Sequence, residues 1–213
     1  MDELIIFQAN NSLSYLITKR IIDIIGAITG LVLFAPLFLI ISILIKLEDS
    51  KGSVIFVQER CGKNGNTFKF YKFRSMVHNA EELLEEIQHK NEMNGPVFKI
   101  KDDPRITKVG RFIRKTSIDE LPQLVNVLKG EMSLVGPRPP LPREVEEYTL
   151  YEMQRLLVKP GLTCIWQVSG RNNVEFEEWM EMDLQYIKER NLWMDIKLIV
   201  KTLPAFLGDE NAH

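Results

Sequence analysis

The sequence predicts a mostly helical α+β fold that enters a membrane from one side only. The expected molecule is monotopic, with a Pro-broken re-entrant helix, a small β-hairpin and interfacial amphipathic helices. Three observations predict it. Ile24 to Ile45 is a run of 22 residues without a charge, interrupted by Pro36. Ser53–Phe73 alternates in part (Val54, Phe56; Phe68, Phe70, Phe73) around Gly62, Asn64-Gly65 and Asn66, as a hairpin with a turn-rich loop does. Several later segments repeat apolar residues at helical spacing.

The apolar run fixes the first part of the chain. As one straight helix it would reach roughly 33 Å, enough for a hydrocarbon core of about 30 Å. It starts too late and is too long for a removable signal peptide. Pro36 removes a backbone donor mid-run. Lys19 and Arg20 stand before the run and Lys46 and Lys51 after it, so the positive-inside rule draws both ends to the cytoplasm. A helix–break–helix that enters and leaves by one face satisfies both facts; a kinked spanning helix is the alternative. Thr29, Ser42 or a packed helix would satisfy carbonyls freed near Pro36. Residues 1–18 read as an amphipathic or irregular lead-in, 19–47 as the membrane element and 48–213 as one cytoplasmic domain with a C-terminal interfacial helix.

Within 48–213 the hairpin comes first. An acidic helix is expected over Asn79–Met93, ended by Asn94-Gly95-Pro96, and a loop over Lys99–Thr107. Ser117-Ile118-Asp119-Glu120 has capping-box spacing, so a helix should run from Ser117 to Leu128, with Pro122 in or just after the first turn and Gly130 closing it. Gly136-Pro137-Arg138-Pro139-Pro140 is a stiff loop. Helices are expected over Arg143–Leu157, Glu175–Arg190 and Leu192–Phe206. The last, with Trp193, Lys197 and Lys201, suits a membrane interface or ordinary packing.

Composition removes several function classes. The chain has 213 residues, a net charge of -2 and 26% charged residues, which suits one folded domain or one with an appendage. Cys61 and Cys164 form neither a disulfide framework nor a zinc pair. The near-neutral charge argues against nucleic acid as a partner. The mean hydropathy of -0.08 averages over the apolar run.

Charge is segregated. Arg60 to Arg74 holds Arg60, Lys63, Lys69, Lys72 and Arg74 with no acid, and Lys99 to Lys115 holds seven basic residues against two aspartates. Such runs are solvated faces, contacts to anionic lipid, or sites for a polyanion such as a nucleoside diphosphate. Asp119-Glu120 follows Arg111, Arg114 and Lys115. On spacing alone it reads first as a cap and dipole partner. The alternative is chemical: an ionised Asp119 attacks phosphorus and Glu120 holds a divalent metal. His78, His89 and His213 lack metal spacing, with His78 and His89 expected as solvated helix residues.

Several motifs in one order carry a resemblance. They are Lys19-Arg20-Ile21-Ile22-Asp23 before the broken apolar run, Val54–Arg60 with Gly62 and Gly65, and Phe68–Met76. Asp103-Pro104-Arg105-Ile106-Thr107, Arg114–Gln123, Gly130–Pro139, Lys159–Thr163 and Trp166–Arg171 follow. Over about residues 15–206 the chain resembles the bacterial sugar transferase family, the monotopic polyprenyl-phosphate phosphoglycosyl transferases. The resemblance implies transfer of a sugar-1-phosphate from a UDP-sugar to undecaprenyl phosphate, with release of UMP, to begin cell-surface glycan assembly. It implies Asp119 as nucleophile and Glu120 as the residue associated with Mg2+. It places Arg114 and Arg138 near phosphates, with Lys72, Arg74, Arg105, Gln123 and Arg171 as further substrate contacts, and Pro36 at the membrane break. Expected partners are UDP-sugar, undecaprenyl phosphate and the lipid bilayer, with homodimer formation left open. The expected location is the bacterial inner membrane, with the catalytic domain on its cytoplasmic face.

The chain also departs from the family pattern. Ala35-Pro36 stands where Ser-Pro is frequent, and Cys164 where glycine is common. The four-pass domain of longer members is missing, as in a short form. Trp166–Arg171 looks more like the hexose-1-phosphate branch than the diacetamido-sugar branch. Two other activities compete: a lipid-binding scaffold without catalysis, and a glycosyltransferase that releases UDP.

Overall fold

The computed structural model describes residues 9–87, 89, 91, 100, 102–169 and 174–208. Helix α1 (Leu13–Leu33) and helix α2 (Ala35–Glu48) meet at Phe34 with a bend of 59°. Pro36 sits in the first turn of α2, where its missing N–H costs nothing and its ring cannot continue a preceding helix. The break is therefore at the expected place. Ser42 does not serve it: its hydroxyl donates to Phe38 O within α2 at 2.6 Å. Helix α1 begins at Leu13, inside the expected lead-in. Among the described residues no single helix is long and apolar enough to cross a membrane.

Helix α1 is amphipathic with its faces reversed. Its buried residues are Tyr15, Lys19, Asp23 and Ala27, four residues apart and so on one face. Leu13, Ile17, Ile21, Ile25, Ile28 and Val32 are exposed. The buried polar groups tie α1 to the remainder of the protein. Lys19 Nζ and the Tyr15 hydroxyl each donate to Asp195 Oδ2 at 3.0 Å, and Asp23 Oδ1 accepts from Ser133 Oγ and Leu134 N. Arg20 donates to the carbonyls of Val127 and Leu128. The basic pair Lys19-Arg20 thus faces protein, where the charge pattern of the sequence had it flanking the membrane.

Strands β1 (Ile55–Cys61) and β2 (Thr67–Phe73) pair antiparallel from Ile55↔Phe73 to Cys61↔Thr67. Asn64 and Gly65 take positive φ at the tip (60° and 79°), the conformation that suits Asn-Gly. Helix α3 is a short piece, Leu84–Ile87. The rest of the expected Asn79–Met93 helix is turn or falls partly outside the described residues. His78 is exposed, as expected, but lies in a turn and not a helix, with its Nδ1 3.3 Å from Asp49 Oδ2. Helix α4 (Lys108–Lys115) is capped by Thr107, which accepts from Gly110 N. Glu48, at the end of α2, also accepts from Lys108 N and Val109 N, placing a carboxylate on the dipole's positive end.

The expected helix from Ser117 is replaced by two pieces, a 3-10 turn over Ile118–Gln123 and helix α5 (Leu124–Lys129). Ser117 takes left-handed backbone (φ 55°) and makes no side-chain cap, so the capping box does not form. Pro122 lies inside the 3-10 turn, whose short hydrogen-bonding period suits a proline-bearing segment better than a long α-helix. Gly130 ends α5 with φ 82°, as expected. Strands β3 (Ser133–Val135) and β4 (Gly161–Thr163) pair in parallel. Such three-residue strands are too short to show a period of two. A Cβ on Gly161 would collide with the Gly136 amide, so this approach requires glycine.

The expected Arg143–Leu157 helix divides into α6 (Pro142–Glu146) and a 3-10 turn, Glu152–Leu157. Helix α7 (Phe176–Glu189) and helix α8 (Leu192–Thr202) are close to expectation, with a 3-10 turn over Leu203–Leu207 around Pro204 after α8. The main core joins Ala27, Ile41 and Ile45 to Phe70, Phe73, Ile113, Leu121, Leu124 and Val127. Helices α1 and α2, the hairpin and the Asp119 turn therefore share one packed interior.

Candidate functional site

The five residues of the cluster arrive on four segments of the chain. Lys72 stands on β2, opposite Phe56. Asp119 and Glu120 lie on the 3-10 turn that packs on that strand, Arg114 in the last turn of α4, and Arg138 on the proline loop after β3. Lys72 Nζ is 3.7 Å from Asp119 Oδ2 and 3.3 Å from Glu120 Oε1. Arg138 Nη1 reaches the same Glu120 oxygen at 3.2 Å. Arg114 donates from Nε to Ser75 Oγ at 2.8 Å and adds positive potential at Asp119.

The two carboxyls differ in kind. Asp119 is buried, and that burial lifts its carboxyl above the ordinary value against the pull of Lys72; the Glu120 charge adds to the rise, and Arg114 and Arg138 oppose it. At Glu120 burial acts in the same upward sense, but Lys72 and Arg138 outweigh it and hold the carboxyl at about 2. Burial lowers Lys72, with the two acids opposing. The result is one firmly ionised glutamate held by two cations, beside a more basic aspartate. That basicity favours attack on an electrophile, and the surrounding cations favour an anionic substrate.

Other expected site residues are elsewhere. Arg74 pairs with Asp49 at 2.8 Å and donates to Asp49 O, fastening the end of α2 to the end of β2. Arg105 is buried and paired with Asp103 at 2.6 Å, and also donates to Ala80 O. Neither guanidinium is brought to the carboxylate pair. Gln123 is buried on the same turn, its Nε2 unpartnered among the described residues. Arg171 lies outside the described residues.

Two features were missed by sequence reasoning. Arg155 and Asp183 form a fully buried pair at 2.6 Å, and Arg60 stacks over the Phe70 ring at 5.4 Å. The available signal was a charge on a buried stripe: Met180, Asp183, Leu184 and Ile187 share one face of α7, and an acid there needs a partner.

Among the described residues no three or more His, Cys, Asp or Glu side chains gather as a metal cage. Mg2+ rarely uses such a cage and takes one or two carboxylates plus phosphate oxygens and water. The Glu120 carboxylate, the one the resemblance assigns to Mg2+, fits that donor set.

A family model described as bacterial sugar transferase matches residues 14–209. The chain belongs to this family. The galactosyl transferase CpsE of Streptococcus agalactiae is 51% identical to it over 195 residues, covering 91% of this chain and 43% of that protein. The undecaprenyl-phosphate galactose phosphotransferase of Salmonella typhimurium is 45% identical, covering 92% and 41% respectively. The exopolysaccharide production protein ExoY of Rhizobium meliloti is 44% identical, covering 88% and 84%. The chain thus spans less than half of the first two relatives and most of the third. The carboxylate pair and Lys72, Arg114 and Arg138 all fall within the family match.

Proposed function

We propose that this chain transfers a sugar-1-phosphate, a hexose-1-phosphate, from a UDP-sugar to undecaprenyl phosphate and releases UMP. The observation that carries the reading is the buried Asp119, more basic than its neighbour Glu120, within a ring of Lys72, Arg114 and Arg138. An Asp119 carboxylate oxygen attacks the phosphorus that bears the sugar. The new O–P bond replaces the bond to the UMP oxygen, and UMP leaves with the electron pair. An oxygen of undecaprenyl phosphate then attacks the same phosphorus, and Asp119 departs as carboxylate. Lys72, Arg114 and Arg138 stabilise the charge that builds on the phosphoryl oxygens in both steps. Glu120 would hold a Mg2+, which when bound supplies further neutralisation of that charge.

The same reading puts the helix pair α1–α2 into one leaflet of the inner membrane, with the catalytic domain on the cytoplasmic face. Its support is geometric. Lys19 and Asp23 fasten α1, through Asp195, Ser133 and Leu134, to the body that Glu48 and Asp49 fasten to the end of α2. Both ends therefore meet one side of the membrane, and the exposed aliphatic stripe of α1 faces lipid. Trp193, Ile196 and Val200 on α8, with Leu203 just after it, form a second exposed stripe, suited to the interface. The names of relatives include galactose and glucose-1-phosphate transfer onto undecaprenyl phosphate, which supports a hexose.

The test is nucleotide release from a panel of UDP-sugars with undecaprenyl phosphate and Mg2+ in detergent. UMP released with UDP-galactose or UDP-glucose is expected. Release of UDP, or of no nucleotide, contradicts the proposal.

A further inference from the structure

Pro137, Arg138, Pro139 and Pro140 form a loop with three residues that lack an N–H, so it is held by what donates to its carbonyls. All four carbonyls accept from outside the loop. Gly161 N donates to Pro137 O at 2.9 Å and Cys61 N to Pro140 O at 2.8 Å. The other two donors are side chains: Arg155 Nη2 to Arg138 O at 2.9 Å and Arg60 Nη1 to Pro139 O at 3.0 Å. Arg138 is thus gripped by its carbonyl while its side chain reaches Glu120 at 3.2 Å.

Arg155 is built for that grip. Its side chain is 1% exposed and that of Asp183 is 0% exposed, so neither can touch a substrate. Nη2 donates to Asp183 Oδ2 and Nη1 to the Tyr148 hydroxyl, both at 2.6 Å. The guanidinium lies over the Trp179 ring at 5.5 Å. A buried ion pair of this kind is weak evidence for stability, whereas a planar fork with several fixed acceptors holds a defined geometry that a lysine cannot reproduce.

We infer that Arg155, anchored by Asp183, is a positioning residue that sets Arg138 against the Asp119–Glu120 pair, with Arg60 sharing the task from the hairpin. This rests on the proposed role of Arg138. The test is a mutant cycle on the full chain, combining Arg155→Lys with Arg138→Ala, read as single-turnover UMP release alongside the thermal midpoint. Displacing a charged group by about 1 Å costs on the order of a hundredfold. Arg155→Lys is therefore expected to slow release by about ten- to a hundredfold in the parent and to add nothing in the Arg138→Ala background. Asp183→Asn, which keeps the shape of the pair, is expected to follow the same pattern and stands in if Arg155→Lys does not fold. An undiminished rate in the parent, or equal losses in both backgrounds, overturns the inference. An Arg138→Ala variant as fast as the parent overturns the proposed role of Arg138 instead.

Discussion

Burial lifts the Asp119 carboxyl while Lys72 holds it down, so the ionisation of the proposed nucleophile depends on that one amine more than on any other neighbour. Two predictions belong at this scale. Asp119→Asn keeps shape and burial but loses the attacking oxygen's charge; UMP release should fall by at least about a thousandfold, the loss typical of removing a nucleophile, with little change in thermal midpoint. The acid limb of the pH–rate profile should report Asp119 and lie above the ordinary value of 3.8, because the active form is the carboxylate and protonation on lowering pH removes it. In Lys72→Met that limb should move to higher pH; a shift to lower pH would contradict a Lys72 that stabilises the carboxylate. The sequence marked Asp119, Glu120, Lys72, Arg114 and Arg138, and the fold brings these together. It could not separate them from Arg74 and Arg105, because Asp49 and Asp103 claim those guanidiniums and side-chain pairing is set by packing. The pair of Arg155 and Asp183 was hidden for the same reason.

The elements deliver the cluster through breaks and close approaches. Pro36 separates α1 from α2, and that break was legible because proline's missing donor acts locally. Pro36→Ala should favour a continuous helix. Cysteines replacing Ser12 and Ser50 should both react with an impermeant reagent from the cytoplasmic side in the parent, and their accessibilities should diverge in Pro36→Ala. Labelling from opposite sides in the parent would establish a spanning helix. Gly110 lets α4 pack on the Ser75 carbonyl, which an added Cβ would strike. Gly110→Ala should therefore destabilise the protein by about 1–3 kcal/mol, as overpacking does, read as a lower thermal midpoint. The 3-10 turn at Asp119 was not legible: Ser117-Ile118-Asp119-Glu120 has the letters of a capping box, but the left-handed Ser117 turns the chain before a cap can form. The parallel pair β3–β4 escaped because contact between chain segments this short leaves no period.

At the scale of the whole molecule, α1 buries Lys19 and Asp23 and exposes isoleucines, the reverse of a water-facing helix. The apolar run announces this in the sequence, and its length and break are legible there. The role of the charges at its entry is not, since Lys19 binds Asp195. In flotation with phosphatidylcholine vesicles the full chain should rise with the lipid, and Ile17→Glu with Ile25→Glu should weaken that binding; unchanged flotation would remove α1 as the lipid-facing surface. The inward polar face also joins α1 to β3, through Asp23 with Ser133 and Leu134, and so to the loop that carries Arg138. The most direct test of the covalent mechanism is mass spectrometry of the enzyme quenched with UDP-sugar and Mg2+ in the absence of undecaprenyl phosphate. A phosphohexose adduct is expected on the peptide containing Asp119, at that carboxylate. An adduct on another residue, or an unmodified Asp119 peptide while UMP accumulates, would contradict it.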